Sequence, residues 1–176
     1  MSFLFLRQTL QYFCLPVFFA LAGGLQPAAG QFYMNQDISL SGIEAVLLVV
    51  EFSGNTDTIE GLNSQELERA ASSQLQTAGL GMLSERNWAR TPGQPYLHLH
   101  VNSLDSGLGF VVYRIEAALY QEVQLLRAPD TSSIVATWET SELGFAGTNR
   151  LESLQADMLR LVERFTQAHS QANSAE

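Results

Sequence analysis

The residues best placed to do chemistry lie in Tyr96-Leu97-His98-Leu99-His100-Val101, which holds two of the chain's three histidines two positions apart. On an extended strand such a pair points to one face, a spacing that some zinc and copper sites use. Two imidazoles need a third ligand, and Glu116, Glu122 or Tyr120 on a neighbouring strand has a parity that allows it. The same alternation has a simpler reading. Leu97, Leu99 and Val101 face a core, so His98, His100 and Asn102 lie on the polar side of an amphipathic strand. The structural reading is preferred, and a zinc or copper site on His98 and His100 is the alternative.

Other chemistries find less support. Asn55-Thr56-Asp57-Thr58-Ile59-Glu60-Gly61 gathers oxygen donors, but it lacks the fifth-position donor of a calcium loop and its glycine falls one place late. It reads as a polar turn. No GxSxG elbow is present, and the serines cluster in turns and caps. The nine basic residues are all arginine, which removes a phosphate-binding lysine and Schiff-base chemistry together. Asp157, Arg160, Glu163 and Arg164 have helical spacing and read as a solvated ion-pair face; His169 reads as a bystander in a polar tail. No residue set points to catalysis, so the expectation is a protein that is not an enzyme.

Residues 1–30 read as a cleaved export signal: Arg7, an apolar run from Tyr12 to Ala22, a Gly-Gly-Leu-Gln-Pro breaker, then small residues at Ala28 and Gly30. Cleavage after residue 22 is the other option. The apolar run falls short of the ~20 residues a spanning helix needs. The only cysteine, Cys14, leaves with this segment and lacks the small residue that precedes a lipidated cysteine. The mature chain then has no disulfide, and packing alone must hold it in an oxidising compartment. Eighteen acidic residues against nine basic ones repel phosphate backbones and anionic headgroups, which argues against nucleic acid and membrane surfaces as partners.

The elements follow from pattern. Ile43 to Phe52 is a strand with apolar residues on both parities, so its second face needs cover from residues 31–40, with Phe32, Tyr33 and Met34, or from another chain. Asn63 and Glu66 form a capping box with Leu62 positioned to staple on Leu67; Leu67, Ala71, Leu75 and Ala78 make a helical stripe that Gly79 stops. A connector over residues 86–94 leads to strands at Tyr96 to Asn102, Phe110 to about Leu126, and Ser133 to Thr140. A turn at residues 127–132, with Pro129, joins the last two. The middle strand is long enough to bend or project, and a bulge near Gln121 accounts for its broken parity. Asn149 and Glu152 repeat the capping-box spacing before a helix whose face is Leu151, Leu154, Met158, Leu161, Val162 and Phe165.

The order β-α-β-β-β-α predicts an α+β two-layer sandwich: about four mostly antiparallel strands with two helices on one face. Its core includes Leu97, Leu99, Val101, Ile115, Leu119, Val123, Ile134, Ala136 and Trp138. A single domain spans residues 31–168, with a flexible tail at 169–176.

Leu40-Ser41-Gly42-Ile43, Ala78-Gly79-Leu80, Pro95-Tyr96-Leu97-His98-Leu99-His100-Val101, Gln121-Glu122-Val123-Gln124-Leu125-Leu126-Arg127 and Ala136-Thr137-Trp138-Glu139 together resemble a group of uncharacterised exported bacterial α+β proteins. The element order is similar to small envelope assembly modules, such as the lipopolysaccharide-assembly protein housed in an outer-membrane barrel and the amino-terminal domain of the Tol system's propeller protein. The resemblance implies a fold and a periplasmic address, with no reaction and no cofactor. The functional expectation is a protein-binding or assembly module that acts through the long hairpin, a sheet edge or the first strand's exposed aliphatics, with another envelope protein or a second copy as partner.

Overall fold

The computed structural model describes residues 36–54, 64–147 and 152–174. The export signal, the polar turn at 55–61 and both helix starts at Asn63 and Asn149 lie outside these residues. A short 3-10 helix, Gln36–Leu40, leads into β1 (Ala45–Gly54), α1 (Ser64–Thr77), β2 (Gly81–Met82), α2 (Glu85–Trp88), β3 (Tyr96–Asp105), β4 (Phe110–Leu125), β5 (Ala128–Gly147) and α3 (Glu152–Asn173). The strands form one mixed sheet in the order β2-β1-β3-β4-β5. β1 runs parallel to both β2 and β3, while β3, β4 and β5 form an antiparallel meander whose ladders are the longest. The sheet therefore has five strands where the periodicity indicated four. A two-residue strand such as β2 carries no periodic signal to read.

Parity sets the core. Val46 and Leu48 on β1, Leu97, Leu99 and Val101 on β3, Ile115, Ala117 and Leu119 on β4, and Trp138 on β5 are buried on one face. Against them pack Leu67, Ala71 and Leu75 of α1 and Leu154, Met158, Leu161, Val162 and Phe165 of α3, in a single cluster. The five α3 residues are fully buried, and at ~1.5–3 kcal/mol per large apolar side chain this helix supplies much of the stabilisation. Phe165 meets Trp138 edge to face, with centroids 5.2 Å apart. Leu40 joins the same core, while the indole N–H of Trp138 donates to Asp37 at 3.0 Å, so the 3-10 helix closes the β5 side of the core.

The connector that carries α2 lies over the second apolar parity of β1, while Phe32, Tyr33 and Met34, expected to cover it, lie outside the described residues. β2 and β3 flank β1 on opposite sides and run parallel to it, so the chain makes two parallel crossovers in opposite directions. A single crossover hand puts these on opposite faces of the sheet. α1 takes the core face, and the connector carrying α2 crosses the other, where α2 contacts β1 and Trp88 meets Tyr96 edge to face at 6.0 Å. Leu83 N–H and Leu47 N–H anchor the ends of this connector to Val46 O and Pro95 O. Ala45, Leu47 and Val49 are accordingly half-buried. The described part of the 31–40 segment packs on α3 and β5 instead.

β5 is twenty residues long, reaching well beyond the expected Ser133 to Thr140 in both directions. The tight turn is Leu126-Arg127, and Pro129 falls inside an irregularity between the Gln124↔Ser132 and Leu125↔Ala128 pairs. The ladder also slips between Leu119↔Trp138 and Tyr120↔Ala136, so the extra residue is Thr137 on β5, across from the position expected near Gln121. Gln121 secures the bulge: its Nε2 donates to Thr137 Oγ1 at 2.7 Å and to Ser39 O at 3.0 Å. A bulge reverses side-chain parity. Ile134 and Ala136 thus leave the core face on which they were expected, and both are exposed. Past this point the β4–β5 hairpin projects as an arm tipped by the fully exposed Leu126.

Tyr113, buried on β4, lies over Gly144 of β5, its register partner; a Cβ there would stand 2.6 Å from the ring. Its hydroxyl donates to Asp157 of α3 at 2.5 Å. α3 continues through residues 169–173, where composition suggested a frayed tail. His169 Nε2 bonds Ile43 O at 2.7 Å, and Asn173 donates to Leu40 O at 3.0 Å while accepting from Gly42 N–H at 2.8 Å. His169 is therefore a structural tie, and Ala78, expected in the α1 stripe, falls past the helix end and is exposed.

Candidate functional site

His98 and His100 do lie on the sheet face opposite α1 and α3, as the alternation requires, which is the face that α2 crosses. Their rings stack with centroids 5.6 Å apart and 11° between planes. Each Nε2 has a partner on β1, the parallel neighbour: His98 meets Glu51 Oε2 at 2.9 Å and His100 meets Ser53 Oγ at 2.8 Å. Glu51 is the acidic residue nearest the pair by bonding, and the sequence reading did not consider it. β1–β3 adjacency is a property of the crossover, which no local pattern announces.

The expected third ligands stand elsewhere. Glu116 is the register partner of His100, but its carboxylate pairs with Arg114 at 2.5 Å. Glu122 lies past the start of β3 and accepts from Ser132 Oγ at 2.6 Å. Tyr120 stacks on Tyr96, 4.9 Å between centroids and nearly parallel, and meets His98 edge to face. Burial, and next the closeness of Tyr120, raise the Tyr96 phenol above its ordinary pKa. Among the described residues no three His, Cys, Asp or Glu side chains cluster to hold a metal ion. The Trp88, Tyr96, Tyr120 and histidine rings form a packed aromatic row along the β1–β3–β4 face.

Two hollows open on the surface of the described residues. One hollow of about 130 Å³ lies over Arg114, Glu116, Glu139 and Ser141, less than the ~300 Å³ of a small-ligand pocket. A cleft of about 350 Å³ between the 3-10 helix and the end of α3 is lined by Asp37, Ile38, Ser41, Gln171 and Ala172. Its one ionised group, Asp37, already accepts from Trp138. The expected ion-pair face of α3 reaches across to the sheet: Arg160 bonds Asp157, and both Arg160 and Arg164 bond Glu142 on β5.

The distinctive surface is the outer edge of β5. No described strand pairs with it. At one point it is capped by a side chain: Gln36 Nε2 donates to Glu139 O and Glu139 N–H donates to Gln36 Oε1, each at 3.1 Å. Ser39 Oγ also donates to Thr137 O at 3.1 Å. Since Glu139 directs both backbone groups away from β4, Ser141, Leu143 and Phe145 direct theirs the same way. Their side chains share the non-core face, and Leu143 and Phe145 are 78% and 79% exposed. Leu104, 62% exposed, lies in the same row as Val112 and Phe145, and Phe110 borders it. An unpaired strand edge and an exposed apolar patch thus coincide at the end of the sheet opposite the arm. Sequence reasoning ended this strand at Thr140 and so missed both.

No family model matches the sequence, and no curated protein matches it. Among solved structures the chain is similar to a PelC variant dodecamer from Paraburkholderia phytofirmans, at 10% identity and a TM-score of 0.41, covering 73% of this chain and 90% of that one. It is also similar to a minor lipoprotein from Acinetobacter baumannii, at 13% identity and a TM-score of 0.25, covering 72% and 91%. The functional reading rests on the geometry of this chain. Among the described residues no helix is long and apolar enough to cross a membrane.

Proposed function

We propose that this is an exported, non-catalytic module of the cell envelope that binds protein, and that the free part of the β5 edge with its apolar flank is the binding surface. The observation that carries this reading is the coincidence of outward backbone groups at Ser141, Leu143 and Phe145 with the exposed side chains of Leu104, Leu143 and Phe145. An extended segment added to that edge gains main-chain hydrogen bonds from the ladder and buries the side chains beside it, the mode known as β-augmentation. The export signal read in residues 1–30 supports the envelope address. The test is a photo-crosslinking residue placed at Phe145 and, as control, at the exposed Glu68 of α1, in cells that express the full chain. Protein adducts at position 145 and none at 68 are expected. Equal labelling at both positions, or none at either, contradicts the reading.

A further inference from the structure

Resting on that reading, we propose that the partner at the β5 edge is a second copy of this chain, joined by antiparallel β5–β5 pairing about a two-fold axis at Leu143. Three observations select this occupant. The first is the limit of the free edge. Gln36 occupies the backbone of Glu139, so a new ladder begins at Ser141, and the outward residues Ser141, Leu143 and Phe145 form a short run centred on Leu143. A two-fold through that centre sets Leu143 across from Leu143 and each Ser141 across from Phe145, which is the self-complementarity an isologous contact demands.

Charge is the second. The chain carries a formal charge of −9, so most of its surface repels another copy. From Ser141 to Gly147 the only ionisable side chain is Glu142, on the opposite face, and Arg160 and Arg164 both hold it. Two such segments meet without net repulsion. Third, edges kept apart by selection carry lysine, proline or unpaired inward charges; Ser141-Glu142-Leu143-Gly144-Phe145 has neither lysine nor proline, and its one inward charge, Glu142, is neutralised by Arg160 and Arg164. Pairing would bring Leu104, Leu143 and Phe145 of both copies into one strip across a continuous ten-stranded sheet, removing apolar surface that each copy alone leaves in water.

The test uses the full chain in a Cys14→Ser background. Directly opposed, hydrogen-bonded residues stand ~5.5 Å apart at Cα, within disulfide reach. Leu143→Cys is expected to give a disulfide-linked dimer under mild oxidation, while Leu126→Cys at the arm tip gives none. Sedimentation equilibrium should show a concentration-dependent dimer that Leu143→Lys weakens at least ~10-fold by setting like charges across the axis, with unchanged thermal unfolding of the monomer. A monomer at every concentration overturns the proposal, as does a dimer that Leu143→Lys leaves intact and Leu143→Cys fails to lock. If the chain is monomeric yet Phe145 still crosslinks to a different protein, the second copy is wrong and the binding surface stands. If neither occurs, both readings fall.

Discussion

The side-chain amide of Gln36 pairs with the backbone of Glu139 as a strand would, accepting its N–H and donating to its C=O at 3.1 Å each, although the two are 103 positions apart. One residue thus ends the exposed part of an edge that otherwise runs to Gly147. Replacing Gln36 with Ala frees both groups to water, so the direct cost is small, about 0.5–1.5 kcal/mol. The larger consequence is a longer open edge. Urea unfolding should record the modest loss, and light scattering should record a greater tendency to associate. A stability loss with no change in association would mean that the amide only holds the 3-10 helix in place.

Gly144 is needed because Tyr113 lies on it. A Cβ at 144 would meet the ring at 2.6 Å, and the ring cannot swing away while its hydroxyl holds Asp157 and its body is buried. Gly144→Ala should cost ~1–3 kcal/mol, the range for overpacking. In a Tyr113→Leu background the same change should cost much less, which a double-mutant cycle measures as coupling between the two positions.

Ser103 offers the opposite outcome. It is 2% exposed on the core face of β3, and its hydroxyl has no hydrogen-bond partner among the described residues. A buried hydroxyl without a partner forfeits its hydration, so Ser103→Ala should raise stability by up to about 1 kcal/mol. A lower denaturation midpoint would reveal a bond to that oxygen.

The histidine pair is expected to behave as a polar, stacked element of the sheet. Both Nε2 atoms are engaged by β1, and Glu116 and Glu122 are committed to Arg114 and Ser132. Titration calorimetry with zinc and with copper should give the same heats for the native chain and the His98→Ala, His100→Ala double variant. Heat that vanishes with the histidines would restore the metal reading, with Glu51 as the third donor to examine.

What the sequence made legible was what short-range periodicity encodes. The α3 face from Leu154 to Phe165 and the β3 alternation at Leu97, Leu99 and Val101 are all buried as read. Three features were hidden for physical reasons. β2 is two residues long, so its parallel pairing and the crossover over β1 leave no pattern. The Thr137 bulge reverses the parity of Ile134 and Ala136, and only the ladder reveals which strand holds the extra residue. The run Ser141 to Gly147 contains Glu, Ser and two glycines, which weaken strand propensity. It stays extended because β4 pairs along it, a tertiary effect, and so the free edge that now carries the functional reading was invisible beforehand. The partners of His98 and His100 were hidden likewise, since β1–β3 register is set by a connection longer than any local window.

Tyr96 gives a pH signature for the aromatic row. Its ring stacks on Tyr120 and meets Trp88 at its edge, and burial, followed by the proximity of Tyr120, raises its phenol pKa. The folded chain therefore holds this proton to a higher pH than the unfolded chain does. The stability so contributed is complete below about pH 10, the ordinary tyrosine value, and is lost as pH rises through the folded value. Melting temperatures taken from neutral pH into the alkaline range should fall for the native chain, and the fall should be shallower for Tyr96→Phe, which keeps the stack and removes the proton. Tyr120→Phe should lie between the two, because it removes the second cause of the shift and leaves burial. Parallel curves for all three chains would mean that the stacked rings open to water before the Tyr96 phenol ionises.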